Sequence, residues 1–351
     1  MATSAQKRIK SVSYAKYGYI FTAPFFIVYF IFMLWPLIQT FILAFYGNGS
    51  PTKVSTPTTI DDFMGFANFK TILFGARSTS FKEIAINEEF VLCFKNTVLI
   101  WVGNFIPQIC LSLLLAVWFT DLRVKMPGKG FFKVVMYMPN IITAASVAGL
   151  FLSLFGDSEY SVANMLLMEW GILEENFKFI STDISSRILV MFIQVWMWFG
   201  NTMIMLMSGI QGINESLFEA AEIDGANSRQ TFWKVTFPLL KSIMVYTLLT
   251  SMIGGLQMFD IPYMLHTGFT LNDYIKTVAV FIYEKFHKDY MSPSYGYSAA
   301  ASVILFVITA ILGALVFYVQ RDKDAIEIQK KRKAAMKEYK RKMARGGGLG
   351  L

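Results

Sequence analysis

Six long uncharged runs, separated by polar segments, set the layout of this chain. Tyr17–Tyr46, Asn96–Thr120, Val134–Gly156, Ile188–Asn214, Ser242–Phe259 and Tyr290–Gln320 contain no Lys, Arg, Asp or Glu. A helix needs about 20 apolar residues to cross the hydrocarbon of a bilayer. The fifth run is shorter, but it resumes over Ile261–Leu265 past the single Asp260. The pattern therefore predicts an all-α polytopic membrane protein. Its spans fall at about 18–46, 96–120, 134–156, 188–212, 242–265 and 297–320. The first run is too long for a signal peptide and ends in no small-residue cleavage site, so it reads as a retained span. Pro24 and Pro36 are expected to kink it or mark its ends, and no internal repeat or soluble second domain is visible.

One polar insertion between spans, the loop 213–241, has the pattern of a folded unit. Asn214 suits an N-cap, with Glu215 in the first turn. Leu217, Phe218, Ala221 and Ile223 are expected on one apolar side of a short helix, which the turn dipeptide Asp224-Gly225 ends. Ser228 is expected to cap a second short helix carrying Phe232, Trp233 and Val235. Pro238 then restarts the chain toward the membrane. A helix–turn–helix at the end of a span is a handle for a partner, or else an amphipathic segment lying on lipid.

Composition agrees with the pattern. Of 351 residues 55% are hydrophobic and 16% charged, where a soluble domain carries about 25% charged. The net charge of +8 does not point to nucleic acid, because the basic residues cluster beside the spans. With the N-terminus cytoplasmic, residues 1–17, 119–133, 215–241 and 321–351 hold 22 of the 32 Lys and Arg but 9 of the 24 acids. That satisfies the positive-inside rule and places the 213–241 loop in the cytoplasm. The tails 1–17 and 321–351 are basic, and the second suits anionic lipid. Cys93 and Cys110 lie on one candidate helix roughly 25 Å apart, too far for a disulfide. His266 and His287 lie outside the spans with no ligand pattern around them. There is no P-loop, metal cluster, carboxylate pair or nucleophile arrangement, which leaves no catalytic residue and no cofactor in this chain.

Glu219-Ala220-Ala221, Asp224-Gly225-Ala226, then Phe232, Val235 and Pro238, resemble the Glu-Ala-Ala loop of permease subunits of binding-protein-dependent ABC importers. The resemblance is closest to the carbohydrate class that includes the maltose importer's permeases. Phe66-Ala67-Asn68-Phe69, Lys95-Asn96-Thr97 and Tyr295-Gly296-Tyr297-Ser298-Ala299-Ala300 extend it over about residues 18–320. Ser242, where many members carry a second Pro, departs from it. The resemblance implies a type I importer permease fold with both termini cytoplasmic, in a bacterial plasma membrane. It also implies that the loop docks on a cytoplasmic ATPase. The partners would be two such ATPase subunits holding ATP and Mg, a second and different permease, and an extracellular solute-binding protein.

A sugar path needs aromatic faces and planar amide or carboxylate hydrogen bonds. Polar groups inside spans tend to face a cavity or a helix interface. Asn104, Gln108, Asn140, Gln194, Trp198, Asn201, Gln257 and Asp260 are the candidates, with helix–helix bonding as the plain alternative. Pro107 and Pro139, each beside an amide, are expected to break their helices. Gly254-Gly255 precedes Gln257, and Asp260 reads by default as an interfacial residue. The spans lack Arg and Lys, which weighs against an anionic cargo such as glycerol phosphate; a polyamine remains open, as does a stand-alone secondary carrier.

Overall fold

The computed structural model describes residues 15–46, 63–75, 81–121, 127–268, 272–287, 295–320 and 331–337. The basic N-terminal residues Lys7, Arg8 and Lys10, residues 47–62 and most of the C-terminal tail lie outside them. The described chain is helical, with one isolated bridge between Tyr46 and Phe63. Five helices are long and apolar enough to cross a membrane: Lys16–Leu43, Ile86–Thr120, Asp183–Gln211, Lys241–His266 and Tyr295–Tyr318. A pair bent by 94°, Lys129–Ile141 and Ala144–Phe155, is also apolar enough, and makes a sixth if taken as one broken span. The chain is a polytopic helical membrane protein.

The helices group into two compact units. Unit 1 comprises Met1–Phe94 and Val278–Phe306; unit 2 comprises Lys95–Thr277 and Val307–Leu351.

In unit 1, α1 (Ala15–Tyr29) runs through a π-helical turn (Phe30–Leu34) into α2 (Trp35–Leu43). Pro36 explains the turn. A proline has no N–H to donate, and its ring clashes with the carbonyl four residues back. The wider turn, in which the Trp35 N–H bonds Phe30 O, moves that carbonyl aside. Pro24 sits inside α1 without ending it. α3 (Ala67–Phe74) is held by Asn68, whose Nδ2 donates to Ala44 O (3.1 Å) and Tyr46 O (2.7 Å). Those are carbonyls at the C-terminal end of α2, which have no partner within the helix. Phe45, Phe66 and Phe69 stack around the junction. The Phe-Ala-Asn-Phe signature is thus a helix-end clamp. α14 (Val278–His287) packs Phe281 against Phe90 and pairs Lys285 with Glu89 at 2.7 Å.

α4 (Phe81–Thr120) begins well before the expected residue 96. The segment 47–95 is therefore less of a loop than its polarity suggests, and Pro107 does not break α4. In unit 2, α5 (Lys129–Tyr137) leads through a 3₁₀ turn (Met138–Ile141) into α6 (Ala144–Phe155). The expected continuous span 134–156 is instead bent by 94° between Ile141 and Ala144, after the 3₁₀ turn that contains Pro139. Thr143, in extended backbone, restarts the helix by accepting from the Ser146 N–H.

α7 (Val162–Glu169) lies within the polar segment 156–187. Its Asn164 is fully buried and ties the segment together. Nδ2 donates to Gly156 O, Ser158 O and Phe177 O, and Oδ1 accepts from Phe177 N. α8 (Asp183–Gln211) is the most enclosed span, packing against α5, the 3₁₀ turn after it, α12 (Lys241–Leu256) and α13 (Asp260–Gly268). Two glycines permit close approaches. A Cβ on Gly200 would lie 2.0 Å from Met136 O, and one on Gly209 2.3 Å from Ile243 Cδ1. At the start of α8, Arg187 donates to Asn96 Oδ1 (Nη2, 2.9 Å) and Tyr274 O (Nε, 3.1 Å). Asn96 Nδ2 in turn donates to Asp273 O and Lys276 O. That is the structural role of the Lys-Asn-Thr signature. His266, expected outside the spans, is buried at the end of α13 with Nδ1 2.9 Å from Asn272 O. α15 (Tyr295–Gln320) completes the chain's spans, and residues 331–337 form a further exposed helical turn pair.

Candidate functional site

Two concave regions lie within unit 2. The first is a cavity of about 420 Å³ walled by α4, α8, α12 and the start of α13. Seven of the eight span residues singled out above line it: Asn104, Gln108, Gln194, Trp198, Asn201, Gln257 and Asp260. Asn140 does not, because Pro139 turns it into the 3₁₀ bend between α5 and α6.

The seven differ in what they do. Gln108 Nε2 donates to Thr202 Oγ1 at 2.8 Å, so this amide joins α4 to α8 while facing the cavity. Asn104 and Gln194 are 5% and 8% exposed and have no hydrogen bond to any described residue. Their amide atoms keep access to the cavity, where the hydroxyl groups of a ligand would find both donors and acceptors. Trp198 is exposed on the wall. Sequence reasoning missed Trp101, Tyr246 and Phe259, three further aromatic residues of the lining. Their spacing gave no signal, since aromatics recur throughout the spans.

The geometry of the wall follows from two local features. Trp101 Nε1 donates to Ser251 Oγ (3.3 Å), and Gly255 lets the indole approach: a Cβ there would lie 2.1 Å from Trp101 Cδ1. Gly254 next to it faces open space on the cavity side. The helix then breaks over Gln257–Phe259, between α12 and α13. Asp260 opens α13 at that break and lines the cavity wall. Thr277 Oγ1 donates to Met258 O (2.7 Å), satisfying one carbonyl that the break releases.

The second region is a groove of about 560 Å³ beside α9 (Glu215–Ile223). The Asn214 side chain accepts from Ser216 N, capping α9 as expected. The helix closes in a Schellman turn: Ala226 N donates to Ala221 O (2.9 Å) and Gly225 N to Glu222 O (3.0 Å), with Gly225 at φ +75°. α10 (Ser228–Thr231) is capped by Asn227, not Ser228. Asn227 Oδ1 accepts from Gln230 N while Gln230 Oε1 accepts from Asn227 N, a reciprocal capping box. A second π-helical turn (Phe232–Thr236) precedes α11 (Phe237–Leu239) and Pro238, with Phe237 N bonded to Phe232 O. The same proline arithmetic governs it as in the first span.

The faces of α9 differ from expectation. Glu215, Phe218, Glu219 and Glu222, spaced i, i+3, i+4 and i+7, line the groove. Leu217, Ala220, Ile223 and Asp224 point away from it, and Ile223 is 87% exposed. Ile223 stands about 240° around the helix from Leu217, so the two cannot share one buried stripe with Phe218. Ala221 and Ala226 are half-buried, whereas Gly225 and Pro238 are exposed. No group of three or more metal-ligating side chains occurs among the described residues.

Comparison with known proteins places these features. A family described as "Binding-protein-dependent transport system inner membrane component" matches residues 97–324, which include both regions. The arabinooligosaccharides transport system permease protein AraP of Bacillus subtilis (strain 168) is 29% identical over 298 residues, covering 85% of this chain and 86% of that one. The lactose transport system permease protein LacF of Rhizobium radiobacter is 28% identical over 326 residues, covering 92% and 100%. The crystal structure of a bacterial ABC transporter involved in the import of the acidic polysaccharide alginate has a similar fold. Its TM-score is 0.70 at 21% identity, covering 87% of this chain and 94% of that one. The chain belongs to the family of inner membrane components of binding-protein-dependent transport systems, as a permease subunit of the plasma membrane.

Proposed function

We propose that this permease forms the path for a sugar or oligosaccharide in an ATP-driven importer. The carrying observation is the cavity itself, in which four aromatic side chains and the unpartnered amides of Asn104 and Gln194 face one space. Aromatic faces stack on the C–H side of a sugar ring while amides bond its hydroxyls. Relatives whose names specify arabinooligosaccharides and lactose support the same cargo class. Asn104, Gln108, Gln194, Trp198, Asn201, Gln257 and Asp260 are assigned to the path, and Asn140 to its framework.

The loop 213–241 is the coupling element in this reading. The outward face of α9 (Leu217, Ala220, Ile223, Asp224) seats on a cytoplasmic ATPase, and Gly225 sets the turn beyond it. Glu219, Ala221, Ala226 and Pro238 shape the helix pair from behind. Two ATPase subunits bind ATP and Mg, a second and different permease completes the path, and an extracellular solute-binding protein delivers the sugar. The termini and the loop are cytoplasmic, as the distribution of Lys and Arg supports. ATP-driven closure of the ATPases pulls on α9 and rocks the spans around the cavity.

Uptake into proteoliposomes by the purified complex tests the reading, comparing wild type with Glu219→Lys and Gly225→Pro. A proline cannot adopt φ +75°, so Gly225→Pro destroys the turn. Both variants are expected to reach the membrane and to lose ATPase binding and uptake together, by at least about tenfold, or about 1.4 kcal/mol. Solute movement without any ATPase, or normal uptake by both variants, would replace the importer with a secondary carrier.

A further inference from the structure

The cavity holds one charged residue. Among the side chains that line it Asp260 is the sole Asp, Glu, Lys or Arg, and its carboxylate has no hydrogen bond or ion pair with any described residue. The remaining polar groups of the wall are neutral amides and hydroxyls, among them the buried and unpartnered Asn104 and Gln194. A local fold explanation for the acid exists: Asp260 is the first residue of α13, where the helix dipole favours an anion. That accounts for a hydrogen-bond acceptor at this position, which Asn would also supply. It does not account for an acid rather than an amide at this position, on a wall that no Lys or Arg lines. Asp260 is exposed to the cavity, so a second anion brought into the same space meets a like charge at short range with no cationic side chain on this wall to offset it.

We infer that Asp260 makes this cavity a charge filter, which accepts uncharged glycans and turns away those bearing a carboxylate, phosphate or sulfonate. The inference rests on the carbohydrate reading above and narrows it to neutral sugars. Asp260 sets specificity through its field and is not required for binding the hydroxyl groups of a neutral sugar, a task that falls to the amides and aromatic faces.

Equilibrium binding to the purified permease complex tests this without the solute-binding protein, whose own selectivity would mask the filter. The probes are a panel of neutral trisaccharides and the same trisaccharides oxidised at their primary hydroxyls to uronates. Quenching of tryptophan fluorescence reports binding, since Trp101 and Trp198 line the cavity. Wild type is expected to prefer the neutral member of a pair by about tenfold or more, equivalent to about 1.4 kcal/mol. Asp260→Asn, which keeps a capping side chain, is expected to bring that ratio close to one by raising the binding of the uronates. Asp260→Glu, which keeps the charge, is expected to retain the preference. Equal binding of both kinds by wild type would overturn the filter, and needs no variant to be folded. An unchanged ratio in Asp260→Asn would overturn it too. Loss of neutral binding in Asp260→Asn would show a hydroxyl contact in its place. If wild type binds no glycan of either kind, the carbohydrate reading falls and this inference with it.

Discussion

Adjacent glycines in α12 have opposite duties. A methyl group on Gly255 would lie 2.1 Å from Cδ1 and 3.0 Å from Cβ of Trp101, atoms close to a backbone that cannot yield easily. A methyl group on Gly254 meets nothing within 4 Å. Gly255→Ala is therefore expected to destabilise the permease by about 1–3 kcal/mol, as overpacking does, and to displace Trp101 from the cavity wall. Gly254→Ala is expected to leave stability within about 0.5 kcal/mol, or to raise it through the better helix propensity of Ala. Thermal unfolding of both variants in detergent checks the contrast, and equal melting temperatures would refute it. The Gly-Gly pair is visible in the sequence, but which glycine carries the contact is not. That depends on the rotation of α12 against α4, and a side chain 154 residues away supplies the partner. The same limit applied to Asn104 and Gln108. Both are polar residues on α4, yet Gln108 is bonded to Thr202 and Asn104 is left facing the cavity.

At the scale of elements, the prolines show how far local rules reach. Five of the prolines within or beside spans show three different outcomes. Pro24 and Pro107 ride inside regular helices, Pro36 and Pro238 follow π-helical turns, and Pro139 sits in a 3₁₀ turn just before a 94° bend. The missing N–H is common to all of them; whether a helix tolerates it, widens or turns depends on what packs beside it. Caps were more legible, because a cap is satisfied within a few residues. Asn214 and Gly225 act as their types predict, and Asn227 takes the capping role expected of its neighbour Ser228. Asn164 is the counterexample, since its four partners are spread from Gly156 to Phe177 and only the fold assembles them. Asn164→Ala leaves several of these backbone groups unpaired and is expected to loosen the 156–182 segment by about 2–4 kcal/mol. Amide hydrogen exchange in nanodiscs should then rise over that segment while α8 and α12 keep their protection; unaltered exchange would contradict the assignment.

At the scale of the molecule, crossing number controls which segments share a side. The span α8 separates the segment around α7 from the α9 loop, so the two are expected to face opposite compartments, and the distribution of Lys and Arg predicts the cytoplasm for α9. In a variant lacking Cys93 and Cys110, a cysteine at Glu174 is expected to react with a membrane-impermeant maleimide on intact cells. One at Asp224 is expected to react only after permeabilisation, and the reverse pattern would invert the topology. The sequence by itself determined the membrane class, because uncharged runs long enough to cross hydrocarbon have no other economical fold. It also determined the family loop, whose cap, small residues and turn glycine act over a single helical turn. Only the tertiary structure decided the rest. It bent the helix pair expected as the third span, opened Asp260 onto a cavity at the break between α12 and α13, and set Glu215, Glu219 and Glu222 along a groove with Ile223 away from it. The physical reason is range: backbone hydrogen bonding and transfer free energy are set residue by residue, whereas a cavity is the space left where several helices, distant in sequence, fail to touch.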